Sequence, residues 1–368
     1  MTTMKHIVAL ASLRHGIFAG LIGFLLAGSS SASQRFAFPD SRLPVFGLGW
    51  YEEDQPRLTR FPVRLQSSVS PSVWGLAQHP SGARVRFRTD SKQLGLRARN
   101  PSFSNMHHMP SIGENGFDVY VDGQYRASAS PDAQGLIVAT WKLGSDTRLR
   151  DVEIYLPLYK AVTLEELSLD DGAQILPPRP YASAKPVIYY GSSITQGGCA
   201  SNPGGSYQAI LERRLNADFI NLGFSGSGLG EVQIAQAITE LDPACIVLDF
   251  WANPSFAMYR ERLPVFVTTL RQKFPQVPIL LVSPFYFSSE AADPKVAAEQ
   301  QAKREFCSQF VKQRRRAGDS QIRLVNGLEM LNSRQADGLV DGVHPNSLGF
   351  YHCANGLEAP LRRALKLR

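Results

Sequence analysis

Residues 187–195 read VIYYGSSIT. Four apolar or aromatic residues run directly into Gly191, and Ser192 and Ser193 follow. A short apolar run bounded by Pro186 and a glycine fits a strand buried on both faces, because a parallel sheet covered by helices has no polar side. The same texture recurs at Phe219–Leu222 (FINL), Cys245–Phe250 (CIVLDF), Pro278–Ser283 (PILLVS) and Ile322–Val325 (IRLV). Helical stretches alternate with these runs, at Tyr207–Leu215, Glu231–Leu241, Phe256–Phe274 and Val296–Arg316, and a last one covers Leu348–Lys366. Buried strands alternating with helices predict an α/β domain of three layers, αβα, with a parallel sheet over residues 186–368. Functional groups in such sheets gather beyond the carboxyl ends of the strands. Ser193 stands in that position after the first strand.

Upstream the texture changes. Residues 35–175 read as short strands with turn punctuation, such as Ala83–Arg88 (ARVRFR), Leu94–Arg99 (LGLRAR), Phe117–Val121 (FDVYV) before Asp122-Gly123, and Val152–Leu156 (VEIYL). Alternation with Asp-Gly turns predicts a β-sandwich, jelly-roll-like domain. Leu176–Lys185 (LPPRPYASAK) is rich in Pro and small residues, so residues 176–185 read as a linker. Residues 1–33 carry Lys5 and Arg14 and no acidic residue, then an apolar run Gly16–Gly28 and a small-residue exit, SSSAS. That order describes a secretory signal peptide. The run is short for a spanning helix, which needs about 20 apolar residues, so no membrane span is expected after its removal. No Cys follows the run to receive a lipid.

The chain has 368 residues, 43% hydrophobic and 19% charged, with a formal charge of +7 that falls to +5 without Lys5 and Arg14. This is material for two globular cores rather than a disordered chain. The basic excess sits in Lys312–Arg316 (KQRRR) and Arg362–Arg368 (RRALKLR). Both read as solvated helix faces, and no aromatic residue interleaves the charges as nucleic-acid binding would want. The four cysteines, Cys199, Cys245, Cys307 and Cys353, include no CxxC pair, so a structural zinc site is not indicated. Three disulfide pairings are open in an exported protein, with Cys307–Cys353 slightly favoured because both fall on late helices; otherwise all four are small buried hydrophobes. Met106-His107-His108-Met109 reads as loop or edge rather than metal site, since adjacent side chains point apart and no carboxylates accompany them. Trp50, Trp74 and Trp141 read as core before they read as a sugar platform.

Three further segments fall at strand ends. Asn221-Leu222-Gly223-Phe224-Ser225-Gly226 follows the second strand, Trp251-Ala252-Asn253-Pro254 the third, and Asp341-Gly342-Val343-His344-Pro345 comes after the last. Asp341 and His344, three residues apart in one turn, can set a carboxylate against an imidazole. That arrangement orients a histidine to take a serine proton. The Gly226 N–H and the Asn253 amide are donors of the type an oxyanion needs. Singly, Gly226 is a turn, Asn253 a loop residue, Asp341 a helix cap and His344 a surface histidine. Together, in this order, they describe hydrolytic machinery.

At these residues the chain resembles the SGNH hydrolase superfamily, the GDSL-like lipases and acylhydrolases. The serine block is GSSIT, the glycine block NLGFSG, the asparagine block WANP and the last block DGVHPN. The resemblance covers about Lys185 to the C-terminus and implies a flavodoxin-like αβα sheet. It implies Ser193 as nucleophile, His344 as base, Asp341 as its orienting acid, and Gly226 and Asn253 as oxyanion donors. The sequence departs from the family at Ser192, where an Asp is usual, and at Trp251 and Pro254, which flank the asparagine in place of Gly and Asp. A subgroup carries an N-terminal β-domain, as here.

These readings predict a serine ester hydrolase, periplasmic or secreted, that needs no metal or organic cofactor. Export and the β-domain favour removal of acetyl groups from a glycan or other carbohydrate ester. A lipid or lysophospholipid esterase, and a glycan-binding protein with a decayed hydrolase site, remain open beside it.

Overall fold

The computed structural model describes residues 33–367. The predicted signal peptide therefore lies outside the described residues, apart from Ser33, which opens the first strand. No helix among the described residues is long and apolar enough to cross a membrane.

The N-terminal region contains β1 (Ser33–Ala37), β2 (Val45–Phe46), β3 (Arg84–Thr89), β4 (Gln93–Arg99), β5 (Phe117–Val121), β6 (Gln124–Ala129), β7 (Leu136–Lys142), β8 (Arg150–Tyr155), β9 (Thr163–Asp170) and β10 (Ile175–Leu176). Two antiparallel sheets result, β1-β9-β4-β7 and β10-β3-β8-β5-β6, with β2 beside β3. Leu94, Leu96, Ile137 and Leu167 from the first sheet meet Val85, Phe87, Val119 and Ile154 from the second in one core, which makes the pair a sandwich. Asp122 and Gly123 both take positive φ, 52° and 75°. Their β5–β6 hairpin thus uses the turn that an Asp-Gly pair favours. Strand β4 alternates buried and exposed residues, but β5 is buried throughout. Its Phe117, Val119 and Val121 face the sandwich core, while Tyr120 enters the core of the following α/β region.

That region contains β11 (Val187–Gly191), β12 (Phe219–Gly223), β13 (Cys245–Asp249), β14 (Ile279–Val282) and β15 (Ile322–Val325), all parallel, in the order β12-β11-β13-β14-β15. This is the flavodoxin-like order. The chain moves from β11 to β12 in one direction and from β12 to β13 in the other. Right-handed crossovers then put the intervening helices on opposite faces. Tyr207–Leu215 packs with Ser347–Ala364, Val232–Ile238 with Phe256–Lys273, and Phe256–Lys273 in turn with Pro294–Arg316.

Sheet and sandwich share buried polar anchors. Arg60, fully buried, donates to the carbonyls of Leu76 (2.6 Å) and His79 (2.9 Å) on its own side and to those of Asn221 and Gly223 at the end of β12. Arg84 on β3 reaches Asp218 and the Phe219 carbonyl. The Pro-rich stretch after β10 is pinned to both sides. Pro177 O accepts from Arg88 Nε at 2.9 Å, the Tyr181 ring lies under the Arg86 guanidinium at 3.9 Å, and the Ala182 N–H donates to Asn216 O at 2.7 Å. Residues 33–368 group as one unit. Trp50 and Trp141 are buried and Trp74 packs on the larger core, as their core reading expected; the Trp50 indole donates to Glu240 at 2.9 Å.

All four cysteines are free and buried, so the favoured Cys307–Cys353 pairing does not form. Each fills a gap in the α/β core instead, and Cys307 Sγ lies 3.5 Å from the Tyr259 hydroxyl.

Candidate active site

In the parallel sheet Gly191 aligns with Gly223 on one side and Asp249 on the other. The three strands therefore end level, and the loops beyond them share one edge. This is also where the strand order reverses about β11, the point at which the fold leaves a crevice.

Ser193 opens the short helix Ser193–Gln196, and the Ser192 hydroxyl caps it by accepting the Ile194 N–H at 3.2 Å. The serine that stands where the family usually has an aspartate thus keeps the capping role, since both are good N-caps. A glycine is needed at 191, because a Cβ there would collide with Thr195 Oγ1 and the Asp249 carbonyl. The Ser193 N–H, first in its helix, has no intrahelical acceptor. Its carbonyl accepts from the Gly198 N–H at 2.8 Å and from the Tyr159 hydroxyl at 3.1 Å. Tyr159 belongs to the N-terminal region, which therefore helps to fix the Ser193 backbone.

Ser193 Oγ lies 2.8 Å from His344 Nε2, and His344 Nδ1 lies 2.8 Å from Asp341 Oδ2. Asp341 Oδ1 accepts the N–H groups of Val343 (3.0 Å) and His344 (2.8 Å). Asp341 is not the cap of the terminal helix; Asn346 is, accepting the Gly349 N–H at 3.0 Å. Partial burial raises the Asp341 carboxyl, but bonds from the His344 backbone, the His344 ring and the Val343 backbone outweigh it and hold it at about 2. The carboxylate is ionised wherever the enzyme would work.

Gly226 takes φ +67° in the loop after β12, a conformation cheap only for glycine. The preceding Ser225 N–H donates to Gln196 Oε1 at 3.0 Å. Gln196, one turn from Ser193, also donates to Leu158 O at 3.1 Å and contacts His79 Nδ1 at 3.3 Å. Asn253 Oδ1 accepts the Gly228 N–H at 3.1 Å, which fixes the amide and leaves Nδ2 to donate elsewhere. Gly228 itself packs on Gly191 O and Ser192 N, so the asparagine is drawn to the loop that carries Ser193. The tryptophan in the asparagine block has a local reason. Trp251 Nε1 donates to Asp249 Oδ1 at 2.7 Å, and its ring packs on Phe285 and Phe287. Asp249 also accepts from Tyr207 (3.0 Å) and Thr195 (3.3 Å), while burial pushes its carboxyl up to about 7. A buried tryptophan hung from a buried carboxyl holds the loop that a smaller residue would leave loose.

Sequence reading did not find Tyr159, Gln196, Asp249 or Asp118. None lies in a motif block with an obvious chemical role; each acts through a backbone group or another side chain. Asp118 on β5 accepts from the Gly204 N–H (2.7 Å), from Ser128 (2.6 Å) and from Asn202. It ties the sandwich to the loop beyond Ser193. His108 lies on a loop, as its neighbours in the sequence predict, and that loop brings the ring to 5.7 Å, centroid to centroid, from His344.

Comparison with known proteins accords with this architecture. Residues 184–362 match the GDSL-like lipase/acylhydrolase family, and residues 36–175 match the family described as the N-terminus of SGNH-hydrolase-type esterases. The latter is named GxDLY, and Gly116-Phe117-Asp118-Val119-Tyr120 agrees at Gly, Asp and Tyr. No curated protein matches the chain. A protein described as a GDSL-like lipase of Bacteroides ovatus superposes with a TM-score of 0.83 at 25% identity, over 92% of this chain and 99% of its own. A salicylyl-acyltransferase from a tetracycline biosynthetic pathway gives 0.76 at 22% identity, over 91% and 99%. A family two carbohydrate esterase from Cellvibrio japonicus gives 0.60 at 17% identity, over 91% and 98%. The last two are likenesses of fold. With both of its regions matched, the chain belongs to the GDSL-like lipase/acylhydrolase family, the SGNH hydrolases, and is an esterase.

Proposed function

We propose that this protein is an exported esterase that removes acetyl groups from a glycan or other carbohydrate ester through an acyl-enzyme on Ser193. The observation that carries the reading is the continuous chain Ser193 Oγ–His344 Nε2 and His344 Nδ1–Asp341, with 2.8 Å at each step. Ser193 Oγ attacks the ester carbonyl and its proton passes to His344 Nε2. The oxyanion that forms accepts from the N–H groups of Ser193 and Gly226 and from Asn253 Nδ2. Its collapse breaks the bond to the alcohol oxygen, which takes the proton from His344. Water then repeats the sequence on the acyl-enzyme, and acetate leaves with Ser193 restored. Asp341 stays ionised and stabilises the imidazolium.

A polar substrate is supported by the cleft beside Asn253, about 330 Å³, whose lining includes Ser255, Ser289, Glu299, Gln300 and Lys303. Resemblance in fold to carbohydrate esterases supports the same class. The basic, then apolar, then small-residue start of the chain supports export.

The test uses p-nitrophenyl esters of two to twelve carbons and an acetylated polysaccharide, with Ser193→Ala beside the wild type. The expected outcome is acetate release and steep loss of rate with acyl length. Ser193→Ala should lose at least about 10³-fold in kcat. Equal rates for the two proteins would remove Ser193 from the chemistry. Faster turnover of long acyl chains would transfer the substrate to the lipids.

A further inference from the structure

His108 lies on the loop between β4 and the short helix Ser111–Asn115. Its Nδ1 is buried without a hydrogen-bond partner. Beside it, Cys199 is only 2% exposed and holds φ +72°, left-handed backbone that is strained for a non-glycine residue and is often found at functional sites. One nitrogen from each of His108 and His344 and the Cys199 sulfur all lie within 4.8 Å of one another. None of the hydrolytic steps uses His108 or Cys199.

We propose that His108, Cys199 and His344 form an inhibitory site for one zinc-like divalent cation, which captures the catalytic histidine and stops hydrolysis. Two imidazoles and a thiolate are the ligands of zinc and not of magnesium or calcium. Tetrahedral zinc, with bonds of about 2.0–2.3 Å, sets its ligand atoms roughly 3.3–3.7 Å apart. The three groups therefore need to close by about an ångström, and side-chain rotation of His108 on its loop supplies that. His344 Nδ1 is committed to Asp341, so Nε2 is the nitrogen that takes the metal, and the bond to Ser193 Oγ is given up. Asp341 on the other nitrogen is the carboxylate partner that metal-bound histidines usually have. On binding, two Zn–N bonds and one Zn–S bond form, the Cys199 thiol proton leaves to solvent, and the fourth position is left to water. The inhibitory half of the proposal rests on His344 being the catalytic base; the binding half does not.

The experiment titrates the full chain with Co²⁺ as a coloured substitute for Zn²⁺, and in parallel follows hydrolysis of a short ester with Zn²⁺ and then a chelator. One equivalent of Co²⁺ should produce the visible bands of tetrahedral cobalt and a near-ultraviolet thiolate band, both erased by Zn²⁺. Cys199→Ser should lose the thiolate band, and His108→Ala should weaken binding by at least about tenfold. His107→Ala, one residue away, should change neither. Zn²⁺ should slow the wild type reversibly, and His108→Ala and Cys199→Ser, each against its own metal-free rate, should need at least about tenfold more. Absence of the thiolate band at one equivalent overturns the site. So does a spectrum unchanged in both variants. A normal spectrum with no effect of Zn²⁺ on hydrolysis overturns the inhibitory role. A normal spectrum in a protein that hydrolyses no ester leaves the site standing and removes the hydrolase reading.

Discussion

Asp341 uses its two oxygens for different ends. Oδ1 closes its own loop on the Val343 and His344 N–H groups, while Oδ2 holds the His344 ring. The first makes the loop rigid, and the second fixes which ring nitrogen faces Ser193, as the proposed catalysis requires. Asp341→Asn separates the two. The amide oxygen can still accept the backbone N–H groups, but the amide NH₂ then faces Nδ1 and favours the wrong tautomer. The variant is expected to fold with a near-native melting temperature and to lose about 10³–10⁴-fold in kcat. Steady-state kinetics with a short ester, beside a melting curve, checks both halves.

At the scale of the element, β5 does more than complete a sheet. Phe117, Val119 and Val121 belong to the sandwich core, and Asp118 and Tyr120 face the other way. Burial pushes the Asp118 carboxyl up to about 6, although Ser128, Gly204 and Asn202 hold it back. A carboxyl whose value is raised on folding stabilises the fold at acid pH, below the ordinary aspartate value of about 3.9, and loses that contribution as pH rises through about 6. Asp118→Asn, which keeps one acceptor and cannot ionise, has no such slope. Urea midpoints should therefore move in favour of the variant between pH 4 and pH 7, and parallel curves would contradict the buried ionisation. Asp118→Ala leaves the Gly204 N–H unpaired and should cost about 1–3 kcal/mol at pH 4, and less above pH 6, because alanine does not ionise either.

Over the whole molecule, the sandwich and the parallel sheet are joined by desolvated polar contacts as well as apolar ones. Burial lowers the Arg60 guanidinium to about 9, so it is still charged at neutral pH, and backbone carbonyls from both regions surround it. Removing it leaves those carbonyls buried and unpaired. Arg60→Met is expected to destabilise the protein by about 3 kcal/mol or more. Because residues 33–368 form one unit, calorimetry should show one transition for the wild type and either one lowered transition or two separated ones for the variant. An unchanged transition would mean that Arg60 is not a structural joint.

The α/β half of the fold was legible in the sequence because its signals are local. A strand buried on both faces must be apolar throughout, so Val187–Tyr190 and Ile322–Val325 announce themselves. The order of Ser193, Gly226, Asn253, Asp341 and His344 along the chain was legible for the same reason, each following a strand. What sequence could not supply is any relation between residues that a fold brings together from far apart. Tyr159 reaches Ser193 across 34 positions and Gln196 contacts His79 across 117. The Cys307–Cys353 pairing failed because sharing late helices does not set the short, directed separation a disulfide needs. His108 looked like a loop residue because its chain neighbours are loop residues; only tertiary packing, by folding the sandwich against the mouth of the parallel sheet, decides that its ring stands beside His344.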